Sequence, residues 1–326
     1  MNTQDIHVAT TLKVLVREKE TVADGIVRFE LRPTSGELLP SFTAGSHIDV
    51  TLPNGAVRQY SLCNAPDDNG RYEIAVLLEP LGRGGSRSAH VDLHRGSVLQ
   101  ISPPRNLFPL SDAGHSILIA GGIGITPILS MAHHLACGGR SFELHYCTRS
   151  VARTAFLERI TSSEFADSVT IYHDDYTQQE RFSARNTLAS PTDDTHIYVC
   201  GPTGFMDHVI GVALAAGWQT ANVHREYFVA PSADTSGDRP FTVEFARTGQ
   251  AVVVPPSQSV AQALAAHGID IPVSCEQGIC GTCMMRVLEG EPDHRDTFLT
   301  TQEHAANDRF TPCCSRSKTA RLVIDF

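Results

Sequence analysis

The stretch SCEQGICGTC, residues 274–283, places Cys275, Cys280 and Cys283 with four and then two residues between them, and Cys313 follows after twenty-nine more. That is the ligand spacing of a plant-type [2Fe–2S] site. Three thiolates on one tight loop can wrap one side of a small cluster while a distant fourth closes it. Gly278 suits such a loop, because a residue without a β-carbon lets backbone N–H groups turn toward the cluster sulfides and stabilise their charge. A zinc site is the competing reading. It ordinarily repeats a two-to-four-residue cysteine spacing, whereas the second half here offers the adjacent Cys313 and Cys314. Cys313 is therefore assigned as the fourth ligand and Cys314 as its neighbour.

Outward from that loop, 326 residues allow two or three domains, and 41% hydrophobic content is enough for ordinary cores. A formal net charge of −10 argues against a nucleic-acid partner, since phosphates would be repelled. Of nine cysteines, Cys63, Cys137, Cys147 and Cys200 are scattered through apolar runs, which suits a reducing, cytoplasmic compartment. The opening MNTQDIHVATTLKV lacks a basic segment followed by an apolar one, so no signal peptide is expected. The apolar run Ile117–Ala136 is interrupted by Gly121, Gly122, Gly124, Pro127, His133 and His134. It reads as strand, loop and helix, not as a membrane span.

Three regions differ in periodicity. Residues 1–111 carry short alternating segments (TLKVLVREKE, GIVRFELRP, HIDVTLP, VRQYSLCN, RYEIAVLLE, SVLQIS) separated by turn residues, the pattern of an antiparallel barrel. Residues 112–228 alternate buried strands with helices, the rhythm of a doubly wound α/β parallel sheet. Residues 229–240, VAPSADTSGDRP, read as a linker. Residues 241–326 hold a hairpin around Gly249, a short helix near Val260–His267, the cysteine loop and a last strand, RLVIDF.

In the middle region a buried strand delivers Gly121, Gly122 and Gly124 into a turn, and Thr126-Pro127 opens the next helix, where the missing proline N–H costs nothing. A helix start approached through glycines can take a diphosphate, although the loop departs from G-x-G-x-x-G. A second element, YVCGPTGFMD, puts Cys200, Gly201 and Pro202 at another strand end, and such strand ends border ligand crevices. In the first region Arg58, Gln59, Tyr60 and Ser61 are followed by Gly82-Arg83-Gly84-Gly85-Ser86 before a helical segment. An arginine and a glycine-serine helix start can grip one phosphate from two sides. Taken alone, these segments are equally an ordinary alternating strand and loop.

RQYSL, GRGGS, GGIGITP, CGP and CEQGICGTC, in that order, resemble the phthalate dioxygenase reductase family within the ferredoxin reductase superfamily, and the resemblance spans nearly the whole chain. Vanillate demethylase reductases look equally similar. The resemblance implies a flavin β-barrel, a nicotinamide-nucleotide α/β domain and a C-terminal ferredoxin domain of α+β β-grasp type. It implies FMN rather than FAD, with Arg58, Gly84, Gly85 and Ser86 near its phosphate, Tyr60 and Ser61 at ribityl and ring, and Gln59 and Val76 also among the cofactor-binding positions. Gly121, Gly122, Gly124, Thr126, Arg149, Cys200, Gly201 and Pro202 would serve the nucleotide. Glu226 and Phe228, in the segment Glu226-Tyr227-Phe228, would approach the flavin.

Electron counting fixes the expected order. A nicotinamide gives two electrons as hydride, a [2Fe–2S] cluster takes one, and a flavin can store a pair and release it singly. The expected activity is that of an NADH-dependent reductase feeding a Rieske-type aromatic-ring oxygenase or O-demethylase, with no membrane partner and the chain monomeric. No residue is needed as a general acid or base; Ser61, Cys200 and Glu226 are positioning candidates. Arg149 could accept the 2′-phosphate of NADPH, while Asp174 and Asp175 would disfavour it, and the resemblance favours NADH. A haem monooxygenase is the alternative acceptor, and a non-catalytic redox sensor the alternative class. The adjacent His133 and His134 point in different directions on a helix and are read as packed or solvated. His294-Arg295-Asp296 is read as a partner-docking segment or a salt-bridged turn.

Overall fold

The computed structural model describes residues 11–68, 70–175, 181–228 and 234–326. Within the 229–240 stretch read as a linker, residues 229–233 lie outside those described. The chain divides into two compact units, one running to Tyr227 and one from Phe228.

The first unit begins with strands β1 (Leu12–Ala23), β2 (Ile26–Pro33), β3 (Ser46–Thr51), β4 (Val57–Ser61) and β5 (Tyr72–Leu77), then helix α1 (Gly85–Asp92), β6 (Val98–Ile101) and the short β7 (Arg105–Asn106). Their order is β4-β3-β6-β1-β2-β5, with β7 beside β3, and all pairings are antiparallel. A bridge between Leu62 and Ile74 brings the end of β4 back to β5 and closes the barrel. Alternation drives the folding: in β1, Val14 and Val16 turn inward while Lys13 and Arg17 stay exposed. Phe29, Leu31, Ile48 and Tyr72 complete the interior.

The same unit continues with β8 (His115–Gly121), α2 (Ile125–Cys137), β9 (Ser141–Thr148), α3 (Leu157–Thr161), β10 (Val169–His173), α4 (Ala184–Thr187), β11 (Thr195–Cys200), α5 (Thr203–Ala215) and β12 (Val223–Glu226). The strands are parallel in the order β10-β9-β8-β11-β12. Both faces are covered, so the strands read as continuous apolar runs. Leu118, Ala120 and Tyr198 face Ile128 and Leu129 of α2, while Ile119, Ile197 and Val199 face Met206 and Val209 of α5. Helix α2 starts at Ile125, two residues before Pro127, because a 3₁₀ turn over Gly122–Gly124 runs directly into it. Pro127 still lies in the first turn, where no hydrogen bond is lost.

A charged hub ties the barrel to the α/β part. Glu73 of β5, whose side chain is only 4% exposed, meets Arg159 of α3 at 2.6 Å, Arg28 of β2 at 3.2 Å and Arg71 at 3.4 Å. Burial pushes this carboxyl up, but the three guanidinium groups outweigh it and hold it below the ordinary value.

The second unit contains β13 (Phe241–Phe245), β14 (Ala251–Val254), α6 (Val260–Ala266), β15 (Met285–Glu289), β16 (Pro292–Asp293), α7 (Thr301–Ala306), β17 (Arg309–Phe310), β18 (Arg316–Ser317) and β19 (Arg321–Ile324). The sheet order is β14-β13-β19-β15-β17, with the last strand entering parallel to β13. Helix α6 carries a capping box between Ser259 and Gln262 and packs Val260 and Leu264 on the sheet. Among the described residues no helix is long and apolar enough to cross a membrane.

Candidate functional site

Strands β8 and β11 end side by side where the chain order reverses, with Cys200 opposite Ala120. That is the crevice in which open α/β sheets take ligands. Gly124 lies so close to β11 that a β-carbon there would overlap the Cys200 carbonyl and sit 2.7 Å from the Gly201 nitrogen. A β-carbon on Gly121 would come within 2.9 Å of Phe205 and 3.0 Å of Pro202, and one on Gly201 within 2.9 Å of the Gly121 Cα. The structure thus brings Gly121, Gly124, Cys200, Gly201 and Pro202 together, with Gly122 between the two loop glycines. Thr126 is buried, and its hydroxyl donates to the Ile123 carbonyl at 3.1 Å, stitching the turn. Arg149 is exposed just past β9, and Asp174 and Asp175 are exposed just past β10.

On the barrel side, Gly84 adopts φ 83° immediately before α1. Arg58 of β4 lies across that helix start, since a β-carbon on Gly85 would be 2.8 Å from Arg58 Nε. Arg58 Nη1 donates to the Val57 carbonyl at 2.7 Å. Gln59 donates across the β3–β4 pair to Asp49 at 3.0 Å, and Ser86 Oγ accepts from the Glu79 N–H at 3.0 Å. Tyr60 packs on the barrel core, and burial pushes its phenol up to about 12. Val76, by contrast, is 1% exposed with its side chain inside the barrel core.

At the strand ends the two halves of this unit meet at a further polar contact besides the Glu73 hub. Ser61 Oγ donates to Glu226 Oε2 at 3.2 Å, and Glu226 stands opposite Cys200 on β12. Burial pushes the Glu226 carboxyl up to about 8, against the pull of the Ser61 hydrogen bond. Cys200 is fully buried, and burial together with the Glu226 charge drives its thiol well above the ordinary range, so it is not a nucleophile.

The folded unit therefore keeps a proton on Glu226 that the unfolded chain releases near the ordinary carboxyl value of 4.5. Stability supplied by this group is present at low pH and is lost as pH rises through about 8. Glu226→Gln is expected to flatten that loss. Trp218, the one tryptophan of the chain, is buried in the α/β half with its indole N–H on the Leu188 carbonyl, so its fluorescence reports the unfolding. Thermal midpoints of flavin-free wild type and variant that keep the same slope between pH 5 and 9 would contradict the assignment.

In the second unit the loop 274–283 has no regular structure, and Glu276, Gly278 and Gly281 all adopt left-handed backbone. Gly278 is needed sterically: a β-carbon there would overlap Cys314 Sγ and lie 2.9 Å from Asp296 Cα. The thiol of Cys275 meets those of Cys280 and Cys313, and Cys283 meets Cys313. Neighbouring thiols drive Cys313 and Cys280 up and Cys275 and Cys283 down, which is the behaviour of sulfurs sharing too few protons in one pocket. The Gln277 N–H donates to Cys275 Sγ at 3.4 Å. This all-thiol donor set, three ligands on a loop and one from beyond β17, fits an iron–sulfur cluster. Cys314 is half-buried and bonded to Thr311 Oγ1 at 3.2 Å.

Comparison with known proteins matches three segments of the chain. Residues 13–108 match the oxidoreductase FAD-binding domain, residues 243–318 the 2Fe-2S iron-sulfur cluster binding domain, and residues 102–223 the N-terminal domain of a dimethylamine monooxygenase subunit DmmA-like protein. Vanillate O-demethylase oxidoreductase of Pseudomonas putida is 54% identical over 316 residues, covering 96% of this chain and 99% of that one. Phthalate dioxygenase reductase of Burkholderia cepacia is 40% identical over 316 residues, covering 96% and 97%. The chain belongs to this reductase family. A solved phthalate dioxygenase reductase, described as modular and carrying electrons from pyridine nucleotides to [2Fe-2S], superposes with a TM-score of 0.77 at 40% identity over 97% of this chain and 98% of that one. An intact self-sufficient cytochrome P450 monooxygenase contains a similar segment: TM-score 0.83, 37% identity, 100% of this chain and 43% of that one.

This reductase is an oxidoreductase of electron transfer, with a flavin-binding barrel, a nucleotide-binding α/β sheet and a [2Fe–2S] domain. Phe228, at the start of the second unit, is 36% exposed. Arg295 is held by Asp238 and Asp293 at 2.5 and 2.7 Å, a salt-bridged turn. The Ser61–Glu226 contact joins residues 165 positions apart. No sequence signal pairs them.

Proposed function

We propose that this reductase takes hydride from NADH onto FMN and releases electrons singly through the [2Fe–2S] cluster to a Rieske-type oxygenase of the O-demethylase class. The observation that carries this reading is the Ser61–Glu226–Cys200 contact, which joins the barrel to the nucleotide strand ends. When bound, the flavin supplies conversion between two-electron and one-electron transfer, and the cluster supplies one-electron transfer. The residues of the chain do the holding. Arg58 and the Gly84–Ser86 helix start grip the flavin phosphate, while Tyr60 and Ser61 align the ring. The turn from Gly121 to Thr126 takes the NADH diphosphate, and Cys200, Gly201 and Pro202 guide the nicotinamide. Glu226, kept protonated by burial near neutrality, presents an uncharged hydrogen-bonding edge there. Cys275, Cys280, Cys283 and Cys313 would hold the cluster, their thiols lying in mutual contact.

Asp174 and Asp175, next to the exposed Arg149 strand end, support NADH over NADPH, because their charges repel a 2′-phosphate. An O-demethylase partner is supported by relatives at 54%, 50% and 47% identity that are vanillate O-demethylase oxidoreductases. A cytoplasmic, monomeric protein completes the proposal. The purified protein is expected to show flavin bands with broad cluster shoulders that NADH bleaches at least about tenfold faster than NADPH. Mass analysis of the released flavin should give FMN. A colourless protein, or one bleached equally by both nucleotides, would overturn the corresponding part.

A further inference from the structure

A second group of potential metal ligands lies behind the cysteine loop. His294, Asp296 and His304 each bring one ligand atom within 4.8 Å of the others. We propose that these three side chains bind a divalent transition ion of the zinc class.

The argument starts from protons. Asn307 Oδ1 can only accept, and it lies 3.2 Å from His294 Nε2, so Nε2 donates there and Nδ1 is the nitrogen left for a metal. That nitrogen is buried without a hydrogen-bond partner, in a side chain 8% exposed, and it faces Asp296 Oδ1 at 3.7 Å. The separation is too long for a hydrogen bond and leaves room for a cation bonded to both atoms. His304 Nε2 stands 3.2 Å from the other carboxylate oxygen. With zinc bonds of about 2.0–2.2 Å, neighbouring ligands of a tetrahedron stand roughly 3.3–3.6 Å apart, close to both observed separations.

The surroundings orient the three side chains as a ligand set. The Asp296 side chain is wholly buried, and its two oxygens accept from the Leu299 N–H at 2.8 Å and Ser315 Oγ at 3.4 Å, which fixes its orientation. The adjacent cation, Arg295, is engaged by Asp238 and Asp293. The two imidazoles stack at 4.3 Å, which fixes both rings beside Asp296. His304 is 31% exposed, which leaves a path to solvent and room for water as a fourth ligand. The site also reaches the cluster loop, because the Thr297 N–H donates to the Gly278 carbonyl at 3.0 Å. A dication here places positive charge beside the [2Fe–2S] centre and makes its reduction easier.

The test uses the loaded reductase, dialysed against a chelator and titrated with Zn²⁺ in competition with a chromophoric indicator, with iron, flavin and zinc all quantified. One zinc per chain is expected with micromolar or tighter affinity, iron and flavin staying constant, and at least tenfold weaker binding in His304→Asn and in His294→Gln. X-ray absorption of the zinc-loaded wild type should show nitrogen and oxygen neighbours. Failure to retain zinc at micromolar free metal, wild-type affinity in both variants, or sulfur neighbours would each overturn the proposal. None of these readouts depends on the electron acceptor or on turnover.

Discussion

Cys313→Ser is expected to yield a reductase that NADH still reduces at its flavin but that has lost its cluster absorption and the paramagnetic signal of the reduced cluster. Cys313 is 9% exposed, and its thiol meets those of Cys275 and Cys283, which places it where the proposed cage would close. Serine removes that sulfur, and the neighbouring Cys314 thiol is turned to Thr311 and Ser315. Transfer to a one-electron acceptor that depends on the cluster should fall by more than about tenfold. Cys314→Ser is the control. The Cys314 thiol also contacts Cys313, but its hydrogen bonds run to Thr311 and Ser315 under Gly278, and a serine hydroxyl can make the same bonds. That variant should keep the cluster, the flavin and most of the transfer rate. If Cys314→Ser loses the cluster and Cys313→Ser keeps it, the fourth ligand is the other cysteine.

The contrast between these neighbours shows what a sequence can carry. Metal ligation demands fixed residue types at fixed separations, so Cys275, Cys280 and Cys283 were legible before any fold was known. The barrel and the parallel sheet were legible for a related reason: burial on one face or two imposes alternation or continuous apolar runs, as in TLKVLVREKE and SILIA. Long-range polar contacts impose no such periodicity. Ser61 could not be paired with Glu226, nor Arg295 with Asp238, because each partner is set by how separate elements pack. His304 had no visible connection to His294 until α7 placed it beside Asp296. The start of α2 also differed from the proline rule, because the glycine turn is itself helical and carries the chain into Ile125.

The glycine turn supplies the other large expected effect, and its cause is steric. Gly124 has ordinary right-handed backbone, φ −60°, so conformational freedom does not explain it. Proximity does: its missing β-carbon would occupy the space of the Cys200 carbonyl, and turn and carbonyl are both backbone, the carbonyl at the end of β11 and fixed by the ladders with β8 and β12. Neither can yield as a flexible side chain would. Gly124→Ala must therefore push the Gly121–Thr126 turn away from Cys200 and Gly201, at a cost of about 1–3 kcal/mol for overpacking. A shift of about an ångström at a positioning element costs on the order of a hundredfold in rate, so NADH-driven flavin reduction should fall by about that factor. Chemical reduction of the flavin and the cluster spectrum should not change, because Arg58, Tyr60 and the cysteines lie elsewhere in the chain. Gly211→Ala makes the same chemical change within α5, where a β-carbon meets nothing within 4 Å. It should stabilise the protein by about 0.5–1 kcal/mol through helix propensity and leave hydride transfer intact. Stopped-flow reduction by NADH, with denaturant unfolding followed at Trp218, measures both quantities for both variants. Equal behaviour of the two alanines would mean that the contact between Gly124 and Cys200 does not hold the nucleotide turn in place.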